Sequence, residues 1–220
     1  MFVPAMALPA APLTPIGIGG LASATTASGP ADQARAHTEL KLRGYQLNVL
    51  ADHRASVTGA LLEDRKPGPS GELVSLQALG RRGWHTLARA HTHTGGRFRI
   101  DFVPRRIGSE QVRVLFAGDA SALASHQRLG RLNAYRVVVA SWYGGGGSLA
   151  CGGELTSSTL GVANKTLPCG TQVTLRYGGR TVRVPVVDRG PYVEGREFDL
   201  TEATKQALGF EGVGEVWSTS

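Results

Sequence analysis

Two aspartates eleven positions apart, Asp188 and Asp199, stand where apolar strand-like runs break into a turn or a helix start. Asp188 ends Val182-Arg183-Val184-Pro185-Val186-Val187, and the Arg189-Gly190-Pro191 that follows cannot continue a strand interior. Asp199 lies in Phe198-Asp199-Leu200-Thr201, just ahead of a short helix pattern that runs to Leu208 and is closed by Gly209. Carboxyl groups at such ends can be held rigidly and still meet solvent, as general acid chemistry requires. Glu154, in a glycine-rich loop, is a third candidate acid. Each has a structural alternative. Asp188 could pair with Arg189 and tie down the turn. Asp199, or Thr201 with its hydroxyl, could cap the helix. Glu154 could be an exposed loop carboxylate.

The elements that must position these groups read as β-structure. From Val137-Val138-Val139-Ala140-Ser141-Trp142-Tyr143 the chain enters a run of four glycines. Thr171–Tyr177 and Arg180–Val184 flank Gly178-Gly179, a hairpin signal because a type I′ turn needs positive φ at both central residues. Val213–Trp217 supplies a closing strand. Upstream, alternating runs at Tyr45–Leu50, Leu73–Leu79, Trp84–Ala90, Arg97–Val103 and Gln111–Phe116 are separated by Gly/Pro-rich turns. Their spacing suggests an antiparallel β-sandwich of the generic immunoglobulin-like or fibronectin-like kind. Residues 119–135 show no strand alternation and read as a linker with a helical turn. His91 and His93 share one strand face, but no third metal ligand accompanies them.

The 220 residues carry a net charge of +7, and its distribution is uneven. From Arg136 onward eight basic residues balance eight acidic ones, so the excess lies in the first 135 residues, together with all six histidines. The arginines are scattered through strand-like alternation rather than clustered on a helix, which argues against nucleic acid and for a solvated surface or an anionic wall polymer or membrane surface. No apolar run is long enough to span a bilayer. The uncharged start ends in an Ala-x-Ala pattern at Ala22–Ala24, like a secretory signal lacking its basic n-region, or alternatively an Ala/Pro-rich tail. Cys151 and Cys169 have no histidine near them in sequence and read as one disulfide in an exported protein, or as two buried thiols in a cytosolic one.

Ala140-Ser141-Trp142-Tyr143-Gly144, Ala163-Asn164-Lys165-Thr166-Leu167-Pro168-Cys169-Gly170-Thr171, Asp188-Arg189-Gly190-Pro191-Tyr192 and Phe198-Asp199-Leu200-Thr201 together resemble the signature of the RlpA-like double-psi β-barrel family. That superfamily includes expansin barrels, and its RlpA-type members include lytic transglycosylases, lyases that cut peptidoglycan glycan strands. The resemblance implies a carboxylic acid that protonates the leaving oxygen while the sugar's own 6-hydroxyl closes a 1,6-anhydro ring. It maps the leading acid to Asp188, with Asp199 and, approximately, Glu154 beside it. Asn164 stands where members commonly carry His; an amide can hydrogen-bond a sugar but cannot shuttle a proton. The glycine loop lacks the aromatic and polar residues of its relatives. Arg189, Tyr143, Tyr192 and Trp142 remain as candidate sugar contacts, with Trp142 as readily a core residue.

The sequence therefore predicts a mainly β chain: an N-terminal antiparallel β-sandwich plus a C-terminal six-stranded double-psi β-barrel with one short helix. The expected boundaries are a signal-like segment at 1–38, a sandwich at 39–118, a linker at 119–135 and a barrel at 136–220. The expected function is that of a secreted, cell-wall-associated lytic transglycosylase. Its partner is peptidoglycan or another wall polysaccharide, with no nucleic acid, no stable membrane span, no cofactor and no metal, and the chain acts as a monomer. The alternatives are a non-catalytic, expansin-like glycan-binding or wall-loosening module and a true hydrolase using Asp188 and Asp199 as a pair.

Overall fold

The computed structural model describes residues 35–220; of the expected signal-like segment at 1–38, all but the last four residues lie outside the described residues, and Thr38 already belongs to the first strand. The chain is mainly β. Its first half contains β1 (Thr38–Tyr45), β2 (Asn48–Leu50), β3 (Ala55–Glu63), β4 (Lys66–Pro67), β5 (Leu73–Gly80), β6 (Gly83–His91), β7 (Arg97–Phe102) and β8 (Gly108–Phe116). The long β9 (Ser125–Tyr143) leads into β10 (Gly147–Ser148), β11 (Glu154–Leu155), β12 (Val162–Ala163), β13 (Gln172–Tyr177), β14 (Arg180–Asp188) and β15 (Phe198–Thr201). A single helix among the described residues of the second half, α1 (Glu202–Leu208), precedes β16 (Gly214–Ser218).

In the first half, β3 pairs antiparallel with β1, β4 and β7. A second sheet runs β6–β5–β8–β9, with β2 parallel to β9. The period-2 alternation aims Val57, Leu61, Phe98 and Ile100 of one sheet and Val74, Leu76, Val112 and Val114 of the other into one shared core. The expected strands at 73–79, 84–90, 97–103 and 111–116 are present. Two further strands, β1 and β3, belong to the same core.

The expected linker at 119–135 is strand from Ser125 onward. Its alternation is hidden by a bulge: β8 pairs Val112 with Gly130 but Arg113 with Arg128, so Leu129 is the extra residue and turns inward. Gly130 takes φ 105° there, a backbone conformation suited to glycine. Beyond it, Leu132, Asn133, Ala134 and Tyr135 are buried in succession where the two halves meet, which erases the two-faced pattern. Tyr135 donates its hydroxyl to Asn48 Oδ1 at 2.7 Å, Asn133 Nδ2 donates to the same oxygen at 2.9 Å, and the Tyr135 ring lies 5.8 Å from that of Trp217.

In the second half six strands close into a ring. The order is β9, β15, β12, β14, β13, β16 and back to β9. The β15–β9 and β12–β14 pairs are parallel and the rest antiparallel. Val138, Ala140, Val162, Val173, Leu175, Val184, Val186, Phe198, Leu200 and Val216 fill the barrel, and Leu208 of α1 and Phe210 just beyond it join the same core. Gly178 and Gly179 adopt φ of 53° and 86°, as the hairpin signal requires. Gly209 ends α1 in the left-handed conformation, its N–H donating to the carbonyls of Gln206 and Lys205.

Cys151 and Cys169 form a disulfide with a Cα–Cα distance of 5.5 Å. It joins two loops that also hydrogen-bond to the end of β14: Cys151 N–H donates to Val187 O at 3.1 Å and Gly170 N–H to Val186 O at 2.8 Å. Replacing both cysteines by serine is expected to lower the unfolding free energy by about 3 kcal/mol, the loop-closure value for this spacing. Denaturant titration of the oxidised protein against the double variant measures it.

Candidate functional site

The acids are brought together by register. Ala163 of β12 pairs with Asp188 on one side and Asp199 on the other, and Asp199 pairs in turn with Ser141 of β9. Asp188, Ala163, Asp199 and Ser141 thus form one row across four adjacent strands. At strand spacing the Asp188 and Asp199 backbones are about 9–10 Å apart. Val162, Val186 and Leu200, one step along, face the barrel core. Simple alternation from Val184 and Val186 would aim Asp188 into that core as well. A register shift between the Val162–Val186 and Ala163–Asp188 pairs turns it onto the row instead. Val187 is the extra residue, and its side chain lies against Gly161, where an added Cβ would stand 2.4 Å from a Val187 methyl.

The two carboxyls have different surroundings. Asp188 is half-buried, and its Oδ1 accepts the backbone N–H of Ala150 at 2.9 Å and of Arg189 at 2.8 Å. No ion pair joins Asp188 to the Arg189 side chain, which instead donates to Asn164 O at 3.1 Å, Leu167 O at 2.9 Å and Cys169 Sγ at 3.0 Å. Arg189 fastens the turn and does not neutralise Asp188. Asp199 Oδ1 is buried without a hydrogen-bond partner. Burial foremost, with the Asp188 charge adding to it, raises the Asp199 carboxyl above the ordinary carboxylate range, while Ser141 and Arg196 oppose that rise. Asp199 does not cap α1. Nor does the Thr201 hydroxyl, which donates to Gly161 O at 3.1 Å and meets Thr204 Oγ1 at 2.9 Å.

Tyr143 lies two residues beyond Ser141 on β9 and so faces the same side as the acids. Its hydroxyl is buried without a hydrogen bond of regular geometry yet lies close to Asp188, and burial, followed by the charge and nearness of Asp188 and then the charge of Asp199, drives its pKa strongly upward. Among the described residues, the buried side-chain oxygens with no hydrogen-bond partner are Ser141 Oγ, Tyr143 OH and Asp199 Oδ1. All three belong to this one face.

The other candidates sit elsewhere. Asn164 is buried, its Oδ1 accepting the N–H groups of Thr166 at 3.0 Å and Leu167 at 2.8 Å and its Nδ2 donating to Glu197 O at 3.1 Å. Every polar atom of that amide serves the backbone, so it offers nothing to a sugar. Trp142 faces away from the row, and Lys205 Nζ covers its ring at 4.1 Å from the centroid. Glu154 is exposed on the short β10–β11 ladder. Tyr192, just past the Gly190–Pro191 turn, is 82% exposed and free to stack on a ring. Ser141 was not among the predicted residues; its position two before Tyr143 in a strand-like run is the signal that places it.

Residues 135–217 match the family model described as lytic transglycolase. This match and the relatives support an RlpA-like double-psi β-barrel for that segment. Relatives include the probable endolytic peptidoglycan transglycosylase RlpA of Aquifex aeolicus, 44% identical over 75 residues that make up 32% of this chain and 33% of that protein. The corresponding Synechocystis protein is 41% identical over 85 residues, 36% of this chain and 26% of the relative. The Rickettsia prowazekii endolytic peptidoglycan transglycosylase RlpA is 35% identical over 83 residues, 34% and 26% of the two chains. The match thus spans a third or less of these relatives' length. Among solved structures, Streptomyces papain inhibitor aligns with 28% identity and a TM-score of 0.32 over 38% of this chain and 90% of its own.

Two tests follow from the geometry. Gly161→Ala must push Val187 aside and is expected to cost about 1–3 kcal/mol, as overpacking of a filled core does; thermal or denaturant unfolding reads it. Asp199 binds its proton more tightly folded than unfolded, so its contribution to stability is favourable at acid pH and is lost as pH rises through the raised folded value. Asp199→Asn is therefore expected to raise the melting temperature at neutral pH more than at pH 4, and an equal shift at both would refute the assignment.

Proposed function

We propose that the barrel cleaves peptidoglycan glycan strands as a lytic transglycosylase, with Asp199 as the acid. The observation that carries this reading is the placement in one strand row of Asp199, whose carboxyl burial raises above the ordinary range, beside half-buried Asp188. Lytic cleavage needs one carboxylic acid that still holds its proton near working pH. Asp199, with its raised carboxyl, is the better suited of the two, so the role expected of Asp188 passes to its neighbour.

In this reading Asp199 donates its proton to the glycosidic oxygen as the C1–O bond breaks. The 6-hydroxyl of the same sugar attacks C1, closes the 1,6-anhydro ring and releases its proton to the Asp188 carboxylate. The two aspartates then re-equilibrate with solvent, and no water enters the products. Ser141 and Tyr143 line the buried side of the acids, and exposed Tyr192 can stack against a sugar ring farther along the strand. Relatives named for peptidoglycan transglycosylase activity support the substrate class.

The same reading makes the chain extracytoplasmic, in keeping with its disulfide. It makes residues 39–118 an immunoglobulin-like β-sandwich that presents the barrel. A non-catalytic glycan-binding barrel is the second reading, favoured by Asn164, whose amide is consumed by the backbone and leaves no proton shuttle beside the acids.

Incubation of the protein with denuded glycan strands is expected to release 1,6-anhydro products visible by mass spectrometry. Asp199→Asn should reduce their rate by about 10²–10⁴-fold, the usual contribution of a general acid. Undiminished product from that variant would remove Asp199 from the role, and retention on sacculi with no product would favour the binding module. The pH profile discriminates further. Activity needs protonated Asp199 and falls as pH rises through its pKa. Removing the Asp188 charge in Asp188→Asn lowers that pKa, so the alkaline limb of the residual activity should move to lower pH.

A further inference from the structure

We propose that the N-terminal half docks on a membrane surface bearing anionic phosphate headgroups, through two loops that share one pattern. The β5–β6 hairpin tip reads Leu79-Gly80-Arg81-Arg82-Gly83-Trp84, and the β7–β8 connection reads Val103-Pro104-Arg105-Arg106-Ile107. Each carries an Arg-Arg pair bracketed by apolar residues. The fold brings both to the same end of the sheets, where they line one cleft of ≈ 1010 Å³. This site is independent of the barrel acids.

Three features choose the partner. First, charge: four arginines line the cleft against a single acid, Glu110. Arg105 has Asp52 at 3.7 Å with both side chains largely in solvent, while Arg81, Arg82 and Arg106 form no ion pair among the described residues. Planar guanidinium forks match phosphate oxygens, and exposed, uncompensated ones remain available for them. Second, apolar exposure: Leu79, Leu87, Val103 and Ile107 are 39%, 36%, 37% and 43% exposed at this one end. Apolar tips beside arginines suit the headgroup–acyl boundary of a bilayer, where the side chains enter hydrocarbon and the charges stay with phosphate. A free polyanion would leave those side chains in water. Third, nucleic acid fits poorly, because base stacking needs open aromatic faces and the Trp84 ring is covered by Arg113 at 4.2 Å from its centroid. Arg113, with Arg128 and Arg131 around the adjoining hollow, also extends the basic field that would orient the approach.

Co-sedimentation of the full chain with vesicles tests this. Vesicles of one part phosphatidylglycerol to two parts phosphatidylcholine should bind the protein in low salt and lose it in high salt, and pure phosphatidylcholine should not bind it. Each arginine near an anionic surface contributes about fivefold to affinity, so Arg81→Ala/Arg82→Ala and Arg105→Ala/Arg106→Ala should each weaken binding about 25-fold. Val103→Ser/Ile107→Ser should weaken it too, with melting temperatures unchanged. Arg105→Lys/Arg106→Lys should keep most of the binding. Arg43→Ala/Lys66→Ala, an equal charge loss on exposed residues outside the cleft, should stay within about twofold of the parent. An equal loss in that control reduces the effect to net charge and overturns the proposal. So does failure to sediment with anionic vesicles. Tight binding of inorganic polyphosphate that needs the arginines but not Val103 and Ile107, with vesicle binding indifferent to those two, would make the cleft a soluble-anion site instead.

Discussion

The register of β9 is the constraint on which the rest of the molecule depends. At about 3.3 Å per residue its 19 residues span about 60 Å. Its first part pairs with β8 and β2 in the N-terminal sheet, and its second part closes the barrel between β15 and β16. A slip of one residue in the second part would send Ala140 and Val138 out of the core and Ser141 and Tyr143 into it. Burial of Tyr135 between Asn48 and Trp217 anchors the strand at the crossing, so the two halves share a continuous strand where a linker with a helical turn was expected.

From that register the chemistry of the acids follows by sheet geometry alone. The ring order makes β12, two residues long, the spacer between β14 and β15, and its Ala163 is small enough to leave the two aspartates on either side facing one surface. The bulge at Val187 is what makes Asp188 part of this surface and not of the core. The disulfide, the Cys151 and Gly170 backbone hydrogen bonds and the Arg189 clamp all converge on that bulge, which is a non-repeating piece of backbone and needs fastening from outside the sheet. On the other side, Asp199 needs no such fastening because it sits within a paired strand. The environments diverge as well: the backbone N–H groups of Ala150 and Arg189 donate to the irregular Asp188, while Asp199 Oδ1, within a paired strand, has no hydrogen-bond partner.

Much of this was legible in the residues, and the gaps have physical causes. The glycine pair of the β13–β14 hairpin, the short helix with its terminal glycine and the cysteine pair were read from local chemistry, because local φ requirements and loop closure leave direct marks. The long strand through 125–135 was not, since a bulge and two-sided burial at the crossing both destroy alternation. Both aspartates stand out in the sequence beside strand ends, but the difference in their surroundings does not. That burial raises the Asp199 carboxyl depends on register across four strands, and no spacing along the chain encodes that. Arg189 and Asn164 illustrate the same limit: each has a chemistry suited to a ligand, and each spends it on main-chain carbonyls and amides that only the folded loop brings within reach.

Asn164 also bears on how little machinery the proposed reaction requires. A hydrolase must activate a water molecule and so needs a base and an acid held in matched geometry. An intramolecular attack by the sugar's own hydroxyl comes with its nucleophile already attached, so the effective concentration is supplied by the substrate. What remains for the protein is an acid that resists ionisation, an acceptor for one proton and enough contacts to seat the ring. In the proposed reaction the raised carboxyl of Asp199 is the acid, Asp188 the acceptor and exposed Tyr192 a ring contact, and none of these roles calls for a histidine. The amide at Asn164 can then be given over to holding the loop, binding Glu197 to the turn at Thr166 and Leu167. Glu197 in turn pairs with Arg136 at the start of the barrel portion of β9, so the same amide helps to fix the strand whose register aligns the acids.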